Sequence, residues 1–255
     1  MEVHGGLTAF NAAANTFTAT KIDFEAAEDA EFEGLEGQHF EIEGLVSGFT
    51  ASPGTFTVGT MAVQTTGSTK FRGGIEADLA NNIRVEVEGS KLGGVLQVEK
   101  VKFKDNVRIE ADVTAFTAGT SLTVLGKTVK IATTTEINGV IAAGVGVKIR
   151  GFASGSSVTA IRIDVGGATN ANANIIQGPI STVTGTTSMT ILGLTVNATA
   201  VEAGGFQDIN GASVSAATFF GQLKTTVPTT IVKAKGSFDG TTTVTAKSVE
   251  IEDPN

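Results

Sequence analysis

One interval constrains this chain more than any other feature. Val46 and Val113 stand 67 residues apart, and Val113 and Ile180 are separated by 67 again. Each sits in the same local pattern: Ile42-Glu43-Gly44-Leu45-Val46-Ser47, Ile109-Glu110-Ala111-Asp112-Val113-Thr114 and Ile176-Gln177-Gly178-Pro179-Ile180-Ser181. A fixed period of this size marks one supersecondary unit written out repeatedly.

The rest of the unit repeats in step. Short hairpins follow at 56–63, 122–129 and 189–196, each with a glycine where a two-residue turn demands positive φ. Next come Arg84-Val85-Glu86-Val87-Glu88-Gly89, Val147-Lys148-Ile149-Arg150-Gly151 and Val232-Lys233-Ala234-Lys235-Gly236. These alternate apolar with charged residues and read as half-buried strands ending in a turn at the glycine. Glu2-Val3-His4-Gly5 is a clipped fourth copy.

The last block appears four times, at 17–24, 96–103, 158–165 and 244–251, with apolar residues at positions one, three, six and eight. Its alternation slips once between positions three and six. A β-bulge there would restore the inward face and bend the strand around a barrel.

Between the hairpin and the fourth strand runs a connection that holds Phe71 and residues 75–79 in the first copy. In the third it swells to residues 199–230, where 212–220 could form a short helix. Three strands, a helix-like connection and two strands is the order of the oligonucleotide/oligosaccharide-binding barrel. The expected fold is therefore all-β: tandem small five- to six-stranded barrels of that kind, with short helical segments between the third and fourth strands. The expected divisions are a partial repeat 1–24, an acidic linker 25–37, repeats at 38–104 and 105–166, a linker 167–174, and a third repeat 175–255 with the insertion 199–230.

The pattern apolar-x-Val-x-Gly, a loop, then apolar-x-apolar-x-Lys-Ile-x-Phe resembles a family of unknown function found as tandem repeats in bacterial exported and surface lipoproteins. The resemblance implies a β-barrel repeat and an extracytoplasmic location, with a lipid anchor on a longer parent left open. It brings no catalytic or ligand residues.

The joints differ in the sequence. Only Lys104, Asp105 and Asn106 separate Phe103 from Val107. Three residues span roughly 10 Å, so the first two repeats must touch or nearly touch. The small, polar run 166–174 reads as a looser joint, and the whole as a rod of beads. Residues 1–24 supply only two of five strands, and an isolated hairpin is marginal in water. They could fray, pack on the first full repeat, or complete a barrel in another molecule by strand addition.

Composition narrows the function. With no cysteine, disulfides, thiolate metal sites and cysteine nucleophiles are excluded. A net charge of −8 argues against a phosphate-binding surface. Phe10, Phe17, Phe49, Phe56 and Phe116 fall in strands at core-like alternation rather than as stacking platforms, so no nucleic-acid partner is expected. The absence of Trp and Tyr weakens carbohydrate binding. No apolar run reaches the roughly 18 residues of a membrane helix.

Candidate chemistry is sparse. His4 and His39 are the only histidines, and neither belongs to a ligand spacing, so exposed strand-end roles are expected. No Ser-His-Asp arrangement can be assembled. Within the acidic linker, Glu28, Asp29, Glu31 and Glu33 are the candidate metal ligands, for a loosely held Ca²⁺. The linker lacks an Asp-x-Asp-x-Asp-Gly loop, and a solvated spacer is the expected role. Glu86 and Glu88 become Lys148 and Arg150, then Lys233 and Lys235, in the later repeats. A site reused in every repeat would keep its charge, so these are solvated faces.

The expectation is a non-enzymatic, cofactor-free structural or interaction protein whose partner is a protein or a second copy. The alternative is a ligand-binding module, for a glycan, metal or peptide, built on the insertion of the third repeat.

Overall fold

The structure is a computed structural model. It describes residues 36–51, 54–166 and 170–252, with the backbone of four short strands nearer the N-terminus. Those strands are β1 (Glu2–His4), β2 (Phe10–Asn11), β3 (Thr16–Phe17) and β4 (Lys21–Asp23). β1 pairs antiparallel with β4, placing Val3 opposite Ile22, and β2 pairs with β3. Glu28, Asp29, Glu31 and Glu33 lie outside the described residues.

The first repeat contributes β5 (His39–Thr50), β6 (Thr55–Val58), β7 (Met61–Gln64), β8 (Lys70–Arg72), β9 (Arg84–Leu92) and β10 (Val95–Phe103). Alternation decides their faces: β6 and β7 bury Phe56, Val58, Met61 and Val63 and turn the residues between them outward. Five strands close a ring. β5 pairs β6, β6 pairs β7, β7 pairs β10 in parallel, β10 pairs β9, and β9 returns to β5. β8 lies outside the ring, parallel to the C-terminal half of β10.

The second repeat closes the same circuit with β11 (Val107–Thr117), β12 (Ser121–Val124), β13 (Lys127–Asn138), β14 (Gly146–Ser154) and β15 (Ser157–Val165). The third uses β16 (Asn174–Thr184), β17 (Ser188–Ile191), β18 (Leu194–Asn197), β20 (Ile231–Phe238) and β21 (Thr243–Glu252). Its insertion adds β19 (Phe206–Gln207) and the helix α1 (Ala216–Gln222). A closed ring leaves few strand edges for chance pairing.

The connections vary as the barrels do not. The first repeat carries one 3₁₀ turn, Glu76–Asp78. α1 starts on Ser215, whose Oγ accepts from Thr218 N, and it buries Phe219 and Phe220 against Phe206. The second repeat has no helix among its described residues at this place; a turn at 143–144 suffices.

The predicted bulges are present in all three repeats. Register shifts fall at Glu99, Ile161 and Lys247, the fourth position of each last block. The glycines of the preceding strand act differently from the expectation. β9, β14 and β20 run straight past Gly89, Gly151 and Gly236, which lie opposite the bulges rather than at strand ends. A Cβ at these positions would stand 2.1, 2.2 and 2.0 Å from the carbonyl oxygens of Gln97, Thr159 and Thr245. The bulged strand approaches so closely that only hydrogen fits.

In the tight hairpin turns of repeats two and three, a leucine shares the positive φ with the glycine. Leu125 and Leu192 take φ of 48° and 51° ahead of Gly126 and Gly193, as a type I′ turn requires of both central residues. Both leucines are buried, and packing holds them there.

The joints are closer than a string of beads. Between repeats one and two, Phe103 and Phe152 stack with ring centroids 4.6 Å apart, and Phe152 belongs to the core of the first barrel. Thr134 Oγ1 donates to Gly74 O at 3.2 Å, and Lys130 meets Asp78 at 2.6 Å. The second joint overturns the expectation of looseness. β11 and β16 pair antiparallel, with Arg108 opposite Gln177, Ile109 opposite Ile176 and Glu110 opposite Ile175. The two barrels share one continuous sheet and one buried cluster. Residues of all three repeats line one common cleft.

Candidate functional site

The outer face of the first barrel carries an ordered array of charge, set by strand register. Glu41 lies beside Glu88, Glu88 beside Lys100, and Lys100 beside Lys70. One step along, Glu43 lies beside Glu86, Glu86 beside Lys102, and Lys102 beside Arg72. Two rows of acid, acid, base, base therefore run from β5 across β9 and β10 to β8.

The middle of the array is internally paired. Lys100 bonds Glu88, and Lys102 and Lys104 reach Glu86 at 3.1 and 3.2 Å. Glu43 is held by Lys104 at 2.6 Å and by Arg84 at 2.7 Å. Desolvation pushes the Glu43 carboxyl up, but the hydrogen bonds and charges of Lys104 and Arg84 outweigh it and hold it below the usual carboxylate range. Glu86 behaves likewise between Lys102 and Lys104. Lys104 is pushed up, chiefly by its bond to Glu43.

The two margins are unbalanced. Among the described residues, Glu41 at the acidic margin has no ion-pair partner, and neither has Lys70 or Arg72 at the basic one. All three are exposed. A cleft of ≈ 630 Å³ opens beside β8, bounded by Lys70, Phe71, Arg72 and Lys102 on one side and by Thr134, Glu136 and Ile161 of the second repeat on the other.

A second cleft, ≈ 330 Å³, lies where the three repeats meet. Leu45 and Arg84, Gly155, Pro179 and the insertion residues Val227 and Thr229 contribute to its lining. Its side-chain donors are asparagine amides, the Arg84 guanidinium and the hydroxyls of Ser181, Thr225 and Thr229. Asn81 and Asn106 already spend their Oδ1 atoms on Phe49 N and Ala153 N.

The sequence-predicted candidates are scattered. His39 is exposed on β5, 3.7 Å from Glu88 and 3.6 Å from Glu99. His4 is described by its backbone alone, as the last residue of β1. No three acid or histidine side chains among the described residues come together as a metal site needs. Lys148 and Arg150, Lys233 and Lys235 take the outward places of Glu86 and Glu88, with the sign reversed. The margins of the array went unseen in the sequence, because Lys70-Phe71-Arg72 is too short to announce a strand. Glu41, Glu88, Lys100 and Lys70 become neighbours only through three separate pairings.

Residues 43–102 and 110–164 each match the family model of a domain of unknown function, DUF5666. The two matches follow one another in tandem. The matches coincide with the first two barrels, and the third closes the same ring of pairings. No curated protein matches the chain.

Proposed function

We propose that this chain is a non-enzymatic structural or interaction protein working outside the cytoplasm, joined to a protein partner or to its own kind. The observation that carries this is the pairing of β11 with β16: a barrel that matches DUF5666 and a third barrel with the same ring of strands bind one another through the free edge of their first strands. The barrel thus serves as a part that mates with like parts. The variation of outward charge over a constant interior supports the same reading, since selection on mating faces leaves the core alone. The likeness to repeats of exported lipoproteins supports the location.

Protease shaving of intact source cells, followed by cross-linking, tests it. The chain should be removed from the outside and should cross-link into assemblies. A free cytosolic monomer would overturn the proposal.

A second reading keeps the ligand-binding module and moves its site. Phe219 and Phe220 of the insertion are buried in the core cluster of the second and third repeats, but Thr225, Val227, Pro228 and Thr229 border the three-way cleft. Its amides suit a glycan or a peptide better than a metal. Gly155→Trp, which fills the cleft, should abolish any thermal shift produced by such a ligand; an undiminished shift would dismiss the site.

A further inference from the structure

We propose that one copy of this chain adds to the next, head to tail, with the acidic edge of β5 pairing alongside the basic edge of β8. This rests on the interaction reading above and names its surfaces and its partner, a second copy.

The free edges are defined by hydrogen-bond parity. Val113 donates to Val145 O and accepts from Gly144 N, so odd residues of β11 face β14 and Arg108 and Glu110 face β16. Val46 likewise bonds Ile83 and Asn82 on the β9 side, so Glu41 and Glu43 turn their backbone groups the other way. The edge that repeats two and three spend on each other is, in repeat one, unmatched by any described strand. The burial agrees: Ile109 and Ile176 are 0% exposed, whereas Ile42, at the same position, is only half-buried.

Charge selects the occupant. A two-fold pairing of β5 with its own copy, in the manner of β11 and β16, would set Glu41 against Glu43 twice, and like charges directly opposite destabilise a sheet. The β11–β16 pair avoids this, matching Arg108 with Gln177 and Glu110 with Ile175. What β5 needs is a strand with cations two residues apart. β8 of a second copy presents Lys70 and Arg72 at that spacing, on an edge strand that ends its sheet and borders the cleft of ≈ 630 Å³.

Orientation follows as well. β8 is parallel to β10, and β10 and β5 are both antiparallel to β9, so β8 and β5 run the same way. A second copy related by simple translation places Glu41 beside Lys70 and Glu43 beside Arg72. Both rows then continue, acid-acid-base-base into acid-acid-base-base. Among the described residues that line the cleft, Glu136 on its far wall is the one acid, and Arg162 stands 3.9 Å from it. Such a contact does not close on itself and yields open chains.

Sedimentation velocity of the full chain at low ionic strength tests the proposal. Association should rise with concentration and fall with added salt. Glu41→Pro removes an outward N–H and the carboxylate beside it and should fold, yet block the acidic edge. Lys70→Glu/Arg72→Glu should block the basic edge. Each variant alone should associate at least about tenfold more weakly than the wild type, with circular dichroism and thermal midpoint unchanged. Mixed, they should form a 1:1 dimer and nothing longer, since one good edge of each kind remains.

Association that survives in both variants, or a mixture that stays monomeric, overturns the β5–β8 contact while leaving the interaction reading intact. A wild-type chain that is monomeric at every salt concentration overturns self-association altogether.

Discussion

Ile109 lies directly opposite Ile176 in the antiparallel pair of β11 and β16, and the two are the same position of consecutive repeats. A pairing centred on equivalent residues is a local two-fold, so each barrel offers the other the same patch. Isologous contacts normally join separate subunits. Here the chain contains both halves, and the linker 167–174 need only span them.

The first prediction follows from that register. Gln177 turns its N–H toward β11, because Ile180 donates to Thr230 O on the β20 side and parity alternates from there. Pro179, two residues on, already sits at an outward position without loss. Gln177→Pro should therefore keep the third barrel folded and weaken the joint by about 1 kcal/mol per hydrogen bond lost. Calorimetry should show one transition for repeats two and three splitting into two.

The second prediction concerns the glycine opposite the bulge. Gly151→Ala places a methyl 2.2 Å from Thr159 O, which belongs to backbone that cannot swing aside. The strand must move or the bulge must be lost, and overpacking of this kind costs about 1–3 kcal/mol or more. Urea denaturation should show the loss. The same change at Gly155, which has open space around it, should cost about 1 kcal/mol, from its φ of +62° alone.

These two cases mark what the sequence makes legible. The slipped alternation at 98–101, 160–163 and 246–249 predicts the bulge, because an inward face must be restored within one strand. The role of the facing glycine is hidden, because a mid-strand glycine opposite a bulge and a glycine in a turn look alike in one dimension. The β11–β16 pairing is hidden for a second reason: it uses backbone groups, which every sequence possesses, and Ile109 and Ile176 read as ordinary core. The array from Glu41 to Lys70 is hidden because it spans four strands joined by register, not by sequence.

The third prediction isolates the first joint. Phe152 belongs to repeat two by sequence but is buried against Phe103 in the core of repeat one. Phe152→Ala should cost about 3–5 kcal/mol, as buried aromatic truncations do. The loss should fall on repeat one and on the contact between the repeats. Hydrogen exchange should report faster opening of β9 and β10, with β17 and β18 of the third barrel unaffected.

The fourth prediction is a pH dependence. Asp164 is bonded by Arg162 at 2.9 Å and by Asn138 at 2.7 Å, and these contacts, Arg162 foremost, lower its carboxyl to about 2. The ordinary value is about 3.9. A group whose folded value is depressed adds stability above the unfolded value, and that stability is lost as pH falls toward the folded one. The contribution of Asp164 should therefore be complete above about pH 4 and should disappear between there and about pH 2. Carboxyl-carbon NMR should place the native midpoint of Asp164 near 2. Arg162→Gln should move it up toward the ordinary value, since the larger cause is then gone. A native midpoint near 3.9 would mean that the Arg162–Asp164 bond does not persist in solution.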